Sequence, residues 1–137
     1  MAKMITIEVV TPEEMVLSEE VEYVGAPGIN GEFGILPGHV PLLSALGIGS
    51  LYYKQNGRRK YVFIAGGFAE VLPEKVVVLA EVAEKAEEID LERARKAREL
   101  AEQRMRQAKD NIEYARARAA MARALYRLST REASQQG

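Results

Sequence analysis

Short runs of β-branched and aromatic residues, separated by turn residues, fill the first part of the chain. A long stretch with apolar residues at helical spacing fills the rest. Met4 to Val10 is rich in Ile, Thr and Val, and Thr11-Pro12 stops it. Met15–Leu17, Val21–Val24 and Leu42–Leu46 read as further short strands, with Gly47 and Gly49 bending the chain after the last. Gly25, Gly28, Gly31 and Gly34, with Pro27 and Pro37, read as turn residues. Asn56-Gly57 lies between Ser50–Gln55 and Arg58–Ile64 and predicts a hairpin, because these two residues accept the positive φ angles of a type I′ turn. A second hairpin joins Phe68–Leu72 to Val76–Leu79 through Pro73-Glu74-Lys75, and Gly66-Gly67 separates the two. Many short strands at close spacing predict an all-β sandwich or barrel.

The period changes after Glu81. From Asp90 the sequence is rich in Ala, Arg, Glu and Leu, with no Gly or Pro before Gly137. Asp90 suits an N-cap, and the first helix is predicted to run to about Lys109. Asp110 with Glu113 predicts a second start through a capping box, and an end near Leu128. Ala94, Ala97, Ala101, Met105 and Ala108 share one face of the first helix. Ile112, Ala115, Ala119, Ala122 and Tyr126 share one face of the second. The pair reads as an antiparallel helical hairpin. Alanine seams bury little, about 0.8 kcal/mol per methyl at most, so the hairpin depends on docking. An ordinary coiled-coil stalk and a movable arm both fit this pattern.

The fold class is therefore mainly β plus α, with a β-rich unit over residues 1–86 and a helical unit over 87–137. Charge sharpens the division. Residues 1–89 carry 13 acidic and 7 basic side chains, whereas residues 90–137 carry 7 acidic and 12 basic. Two modules with different partners would show such a split. The 137 residues include no Cys, which excludes disulfides, thiolate zinc sites and cysteine nucleophiles. No apolar run approaches the roughly 20 residues of a membrane-spanning helix. Met1 to Thr6 lacks the apolar stretch of a signal peptide, so the expected compartment is the cytoplasm.

Catalytic constellations are missing. His39, in Pro37-Gly38-His39-Val40-Pro41, is the one histidine, too few for a usual zinc site, and reads as a turn residue. No Gly-x-Ser-x-Gly, Gly-x-Gly-x-x-Gly or Gly-Lys-Ser/Thr occurs. Tyr52, Tyr53 and Tyr61 with Arg58, Arg59 and Lys60 have the composition of a nucleic-acid patch, but hairpin tyrosines usually form cross-strand packing pairs. The basic tail is diluted by Glu99, Glu102 and Glu113, so nucleic acid is not an expected partner. Neither a catalytic metal nor a catalytic cofactor is expected.

Gly31-Glu32-Phe33-Gly34-Ile35-Leu36-Pro37-Gly38-His39-Val40-Pro41-Leu42-Leu43 resembles the epsilon subunits of bacterial F-type ATP synthases. Ile7–Pro12, Gly66–Val71 and Ile89–Ala94 match the same family in the same order, so the resemblance spans nearly the whole chain. It implies a ten-stranded β-sandwich followed by two helices, and a non-catalytic rotor subunit on the cytoplasmic face of the cell membrane. The sandwich would grip the gamma subunit and the c-ring, and the tail would inhibit ATP hydrolysis. Carried over residue by residue, the contacts to the c-ring and gamma fall on Gly31, Glu32, Phe33, His39, Leu42 and Leu43. Core packing is the plain alternative for Phe33, Leu42 and Leu43. Arg116, Arg118 and Arg123 would meet the beta subunits of the alpha–beta ring, and a solvated charged face is the alternative there.

Some members of that family fold both helices onto the sandwich around one regulatory ATP. The resemblance then implies an ATP site at Glu84, Asp90, Arg93, Ala94, Arg123 and Arg127. Asp90 would accept from the adenine amine, Arg93 would reach a polar edge, and Arg123 and Arg127, one turn apart, would clamp phosphates. A further arginine of the strong binders stands here as Leu100, which implies weakened binding. Asp90 as a simple N-cap and the arginines as a solvated face is the competing reading.

Overall fold

The computed structural model describes residues 3–136, so the outermost ends of the two expected units, Met1, Ala2 and Gly137, lie outside the described residues. Seven strands precede the helices: β1 (Ile5–Val10), β2 (Met15–Val21), β3 (Tyr23–Gly28), β4 (Gly31–Ile35), β5 (Leu42–Gln55), β6 (Arg58–Val71) and β7 (Lys75–Lys85). A 3-10 turn, η1 (Ala86–Glu88), leads to α1 (Leu91–Gln107) and α2 (Asn111–Gln136). The strands form one sheet in the order β2-β1-β7-β6-β5-β3-β4. All pairings are antiparallel except β1 with β7, which joins the first strand to the last.

One buried cluster draws on every strand, from Ile7 and Val21 at one edge to Val24 and Ile35 at the other. The sheet therefore closes its apolar face on itself as a sandwich. Alternation does the sorting: β1 reads buried at Ile5, Ile7 and Val9 and half-buried between.

Seven strands stand where ten were expected, and two of the seven are long strands that glycines bend without ending. β5 and β6 each run 14 residues, through Gly47 and through Gly66-Gly67. Pairing holds on both sides of the bend, Leu46 with Gly67 and Ile48 with Ala65. Gly66 and Gly67 take φ of 79° and 128°, the bulge conformations that let a strand turn a corner. The Asn56-Gly57 turn is as predicted, with φ of 53° and 75°.

Gly25 and Gly34 are not turn residues. They lie inside β3 and β4 and pair with each other across the ladder. Above them, on the outer face, Tyr23, Tyr52 and Tyr61 stand in a row, with ring centroids 5.7 and 6.1 Å apart. Tyr52 and Tyr61 are direct cross-strand partners, and the Arg59 guanidinium lies 4.6 Å from the Tyr52 centroid. Packing thus accounts for the tyrosines of this hairpin and for Arg59.

Both helix starts follow the sequence. Asp90 Oδ1 accepts from Arg93 N at 3.1 Å, and Asp110 Oδ1 from Glu113 N at 2.8 Å. Glu113 reaches back to Lys109 N at 2.9 Å, one residue beyond the usual capping box. The seams differ from expectation. In α1, Ala94 and Ala101 are buried, but Ala97 is exposed. In α2 the buried residues are Ala117, Ala124 and Thr130, while Ile112, Ala115 and Tyr126 are exposed. Alanines at 115, 117, 119, 120, 122 and 124 offer several nearly equal seams. Polar contacts near the far end of α2 select the rotation. α2 runs to Gln136, past the predicted end at Leu128.

Candidate functional site at the junction of sandwich and tail

α2 is the helix that packs on the sandwich, against β5, β6 and η1, while α1 packs on α2. Where β7 gives way to η1 and α1, a cavity of about 290 Å³ opens. Glu84, Glu88, Ile89, Asp90, Arg93, Ala94, Ala97 and Arg127 line it. β7 places Glu84 opposite Phe63 of β6. η1 then turns the chain so that Ile89 packs with Phe63 and Ala65 in a second, smaller apolar cluster. Asp90 follows as the N-cap, which puts its carboxylate and the first turn of α1 at the cavity mouth.

Arg127 enters from α2. Its Nε donates to Glu84 Oε1 at 2.5 Å, and its guanidinium lies 4.6 Å from the Phe63 ring centroid. Both side chains of the pair are about two-thirds covered, with the remainder open to the solvent of the cavity. Three carboxylates (Glu84, Glu88, Asp90) thus face two guanidiniums (Arg93, Arg127). Such a site offers acceptors for an amine edge and forks for an anionic group.

Of the six residues implied for ATP, Glu84, Asp90, Arg93, Ala94 and Arg127 converge on this cavity. Arg123 does not. It lines a separate cleft of about 620 Å³ between the helices, with Arg104, Gln107, Glu113 and Arg116. Four residues along α2 are enough to move from the sandwich contact to the helix–helix cleft. Arg116 shares the cleft with Arg123, whereas Arg118 is exposed away from it. Leu100 is 46 % exposed, and Arg98 is engaged with Glu102 on α1.

The six residues implied for rotor contacts lie in β4 (Gly31, Glu32, Phe33), in the loop after it (His39) and at the start of β5 (Leu42, Leu43). Gly31, Glu32, Leu42 and Leu43 are exposed, and Leu43 is 70 % so. Phe33 instead packs partly against the core, as the plain alternative holds. His39 is half-buried with Nδ1 2.6 Å from the Val40 carbonyl, and the same loop is tied down by Gly38 N donating to Pro73 O at 2.7 Å. Ile29, Leu36 and Val40 add exposed apolar surface to these residues. Sequence reasoning missed Ser50, Thr130 and Arg131, which contact across the sandwich–tail boundary. No motif marks them, because residues 80 apart meet only through the fold. Among the described residues, no group of three or more His, Asp or Glu side chains is arranged to hold a metal, and no helix is long and apolar enough to cross a membrane.

A sandwich with a helical hairpin folded against it, and a ligand-sized cavity at their junction, defines a two-module protein. Residues 4–86 match the family described as ATP synthase, Delta/Epsilon chain, beta-sandwich domain, and residues 87–132 match its long alpha-helix domain. The chain is 60% identical over 131 residues to the ATP synthase epsilon chain of Nitratidesulfovibrio vulgaris, covering 96% of this chain and 98% of that one. It is 64% identical over 135 residues to the epsilon chain of Maridesulfovibrio salexigens, covering 98% and 95%. Its fold is similar to a chain of the Euglena gracilis mitochondrial ATP synthase, OSCP/F1/c-ring, with a TM-score of 0.80 and 27% identity over 96% of this chain and 81% of that one. A chain of the Tetrahymena thermophila mitochondrial enzyme shares the fold at a TM-score of 0.61 and 12% identity, covering 93% and 96%. The chain belongs to the epsilon-chain family of ATP synthase. It is a non-catalytic subunit of that complex.

Proposed function

We propose that this subunit joins the gamma subunit to the c-ring through its sandwich, inhibits ATP hydrolysis through its helices, and senses ATP at the sandwich–tail junction. The carrying observation is the convergence of Glu84, Asp90, Arg93, Ala94 and Arg127 from β7, α1 and α2 on one cavity. A ligand held there touches both modules, so its binding energy favours the docked tail over a released one. ATP is the ligand that the resemblance supplies, and the donor set suits its base: Asp90 accepts from the amine and Arg93 reaches a ring edge. The lining is one charge short of neutral, so the phosphates lie toward Arg127 and the mouth rather than inside. Leu100, in place of an arginine, keeps binding weak.

Exposed Leu42, Leu43 and Val40, with Gly31, Glu32 and His39 beside them, form the end of the sandwich that we assign to the c-ring and gamma. The tail reaches the alpha and beta subunits, with Arg116, Arg118 and Arg123 as its basic contacts. The subunit sits peripherally on the cytoplasmic face of the bacterial membrane. Calorimetric titration of the full chain with ATP tests the sensing role. Heat at millimolar ATP that disappears in Asp90→Ala and Arg93→Ala supports it, and no heat in the parent ends it. Assembled enzyme lacking the chain after Glu88 tests inhibition, which requires faster hydrolysis than with the tail.

A further inference from the structure

α2 meets the sandwich through three polar residues on one face, 127, 130 and 131, at i, i+3 and i+4. Each reaches a different element. Arg127 donates to Glu84 of β7. Arg131 Nη1 donates to the carbonyl of Ala86 in η1 at 3.2 Å. Thr130 Oγ1 lies 2.5 Å from Ser50 Oγ of β5. The Thr130 hydroxyl also donates to the Tyr126 carbonyl, so its proton is committed and Ser50 is the donor to Thr130. Thr130 is fully buried, which makes the hydroxyl chain from Ser50 through Thr130 to Tyr126 a feature of the docked state alone. The apolar cluster beside this contact, Phe63, Ala65 and Ile89 with Ile48 and Val82 against it, includes no residue of α2. Polar groups therefore decide whether α2 stays.

We propose that Arg127, Thr130 and Arg131 form a polar latch that keeps the tail docked with no ligand bound, and that Arg127 is its release point. The three links differ in how they open. Ser50–Thr130 is closed to solvent, and Arg131 is tethered to a backbone carbonyl with its Nε buried and without a partner. Arg127 is the charged link that lines an open cavity. Salt ions competing there with Glu84 for the guanidinium weaken this link first. Asp90 and Glu88 line the same cavity from the start of the tail. Docking by this route is written into the chain itself. It does not rest on nucleotide binding, and a chain that ignores ATP would still latch.

Spin labels at Arg58→Cys and Glu132→Cys report the tail position in the full-length, nucleotide-free protein. Both sites are exposed and no native cysteine competes. The parent is expected to give one distance population. Arg127→Gln is expected to raise the released fraction about tenfold, the scale of a lost charge-assisted hydrogen bond. Thr130→Val, which keeps the shape and removes the hydroxyl, is expected to act in the same direction. About 1 M NaCl should reproduce the Arg127→Gln effect in the parent and add little in that variant. The exchange Glu84→Arg with Arg127→Glu should restore the single population. A spread of distances already present in the parent overturns the proposal, as does an unchanged single population in both Arg127→Gln and Thr130→Val with helix content intact.

Discussion

The Tyr23 hydroxyl fills the space above Gly34: a Cβ built on Gly34 would collide with that oxygen. Gly25, the ladder partner of Gly34, does the same for the Tyr52 ring. Two paired glycines thus form the floor on which two tyrosines lie. Gly34→Ala is expected to destabilise the sandwich by about 1–3 kcal/mol through overpacking. Because the obstruction at Gly34 is chiefly the hydroxyl, Tyr23→Phe in the same chain should recover part of the loss. At Gly25 the obstruction is ring carbon, so Tyr52→Phe should recover little. Urea unfolding midpoints of the two single and two double variants check the pattern, and equal recovery at both sites would refute it.

These glycines show where sequence reading stops. Asn56-Gly57 and Asp90 were legible because each acts locally, through φ angles at a turn or an oxygen three residues from the amide it caps. Gly25 and Gly34 serve side chains on other strands, and turn statistics misplace them. Gly66-Gly67 marked a break correctly in the backbone, but not that pairing continues past it. The junction was legible only through the resemblance: Glu84, Asp90, Arg93, Ala94 and Arg127 converge, whereas Arg123, implied with them, lines the interhelical cleft. The choice of seam in α2 depends on Ser50 and Ala86, and neither carries any local signal toward Thr130 or Arg131.

Alkaline sensitivity should trace to Tyr53. Unlike Tyr52, it points into the core, and burial pushes its hydroxyl from 10.0 up to about 12, with Glu19 and Glu87 adding to the rise. The folded state keeps the proton longer than the unfolded chain does. Its contribution is therefore complete below about pH 10 and is lost as pH rises toward about 12. Tyr53→Phe keeps the burial and removes the ionisation. Stability measured from pH 9 to about 12 should fall less steeply in the variant than in the parent, and parallel curves would assign the loss elsewhere.

The inhibitory contact that we propose for the tail is expected to be partly electrostatic. Arg116 and Arg123 face the interhelical cleft beside Arg104, with Glu113 as the acidic group there, and Arg118 is exposed outside it. Positive charge therefore exceeds negative on this part of the tail whether it is docked or released. Arg116→Gln, Arg118→Gln and Arg123→Gln together should weaken inhibition of hydrolysis in the assembled enzyme severalfold, and added salt should weaken it in the parent but not further in the variant. If neither change moves the rate, apolar surface such as Ile112, Tyr114 and Leu125 carries the contact instead.

Residues 1–86 are expected to fold alone and to bind gamma. The main core draws only on residues between Ile5 and Ala83, and no helix residue belongs to it. What the tail covers is the second cluster, where Phe63 and Ala65 meet Ile89 and the Arg127 guanidinium. Truncation uncovers Phe63, a loss of about 1.5–3 kcal/mol if its ring becomes fully exposed. Removing Arg127 also leaves Glu84 free to be solvated, so no charge is stranded in the interior. The truncated domain should therefore unfold cooperatively, somewhat below the full chain, and bind an apolar dye that the full chain excludes. Phe63→Ser in the truncated domain should abolish the dye signal. A non-cooperative melt, or a folded domain that fails to pull down gamma, would show that the tail completes the sandwich rather than merely resting on it.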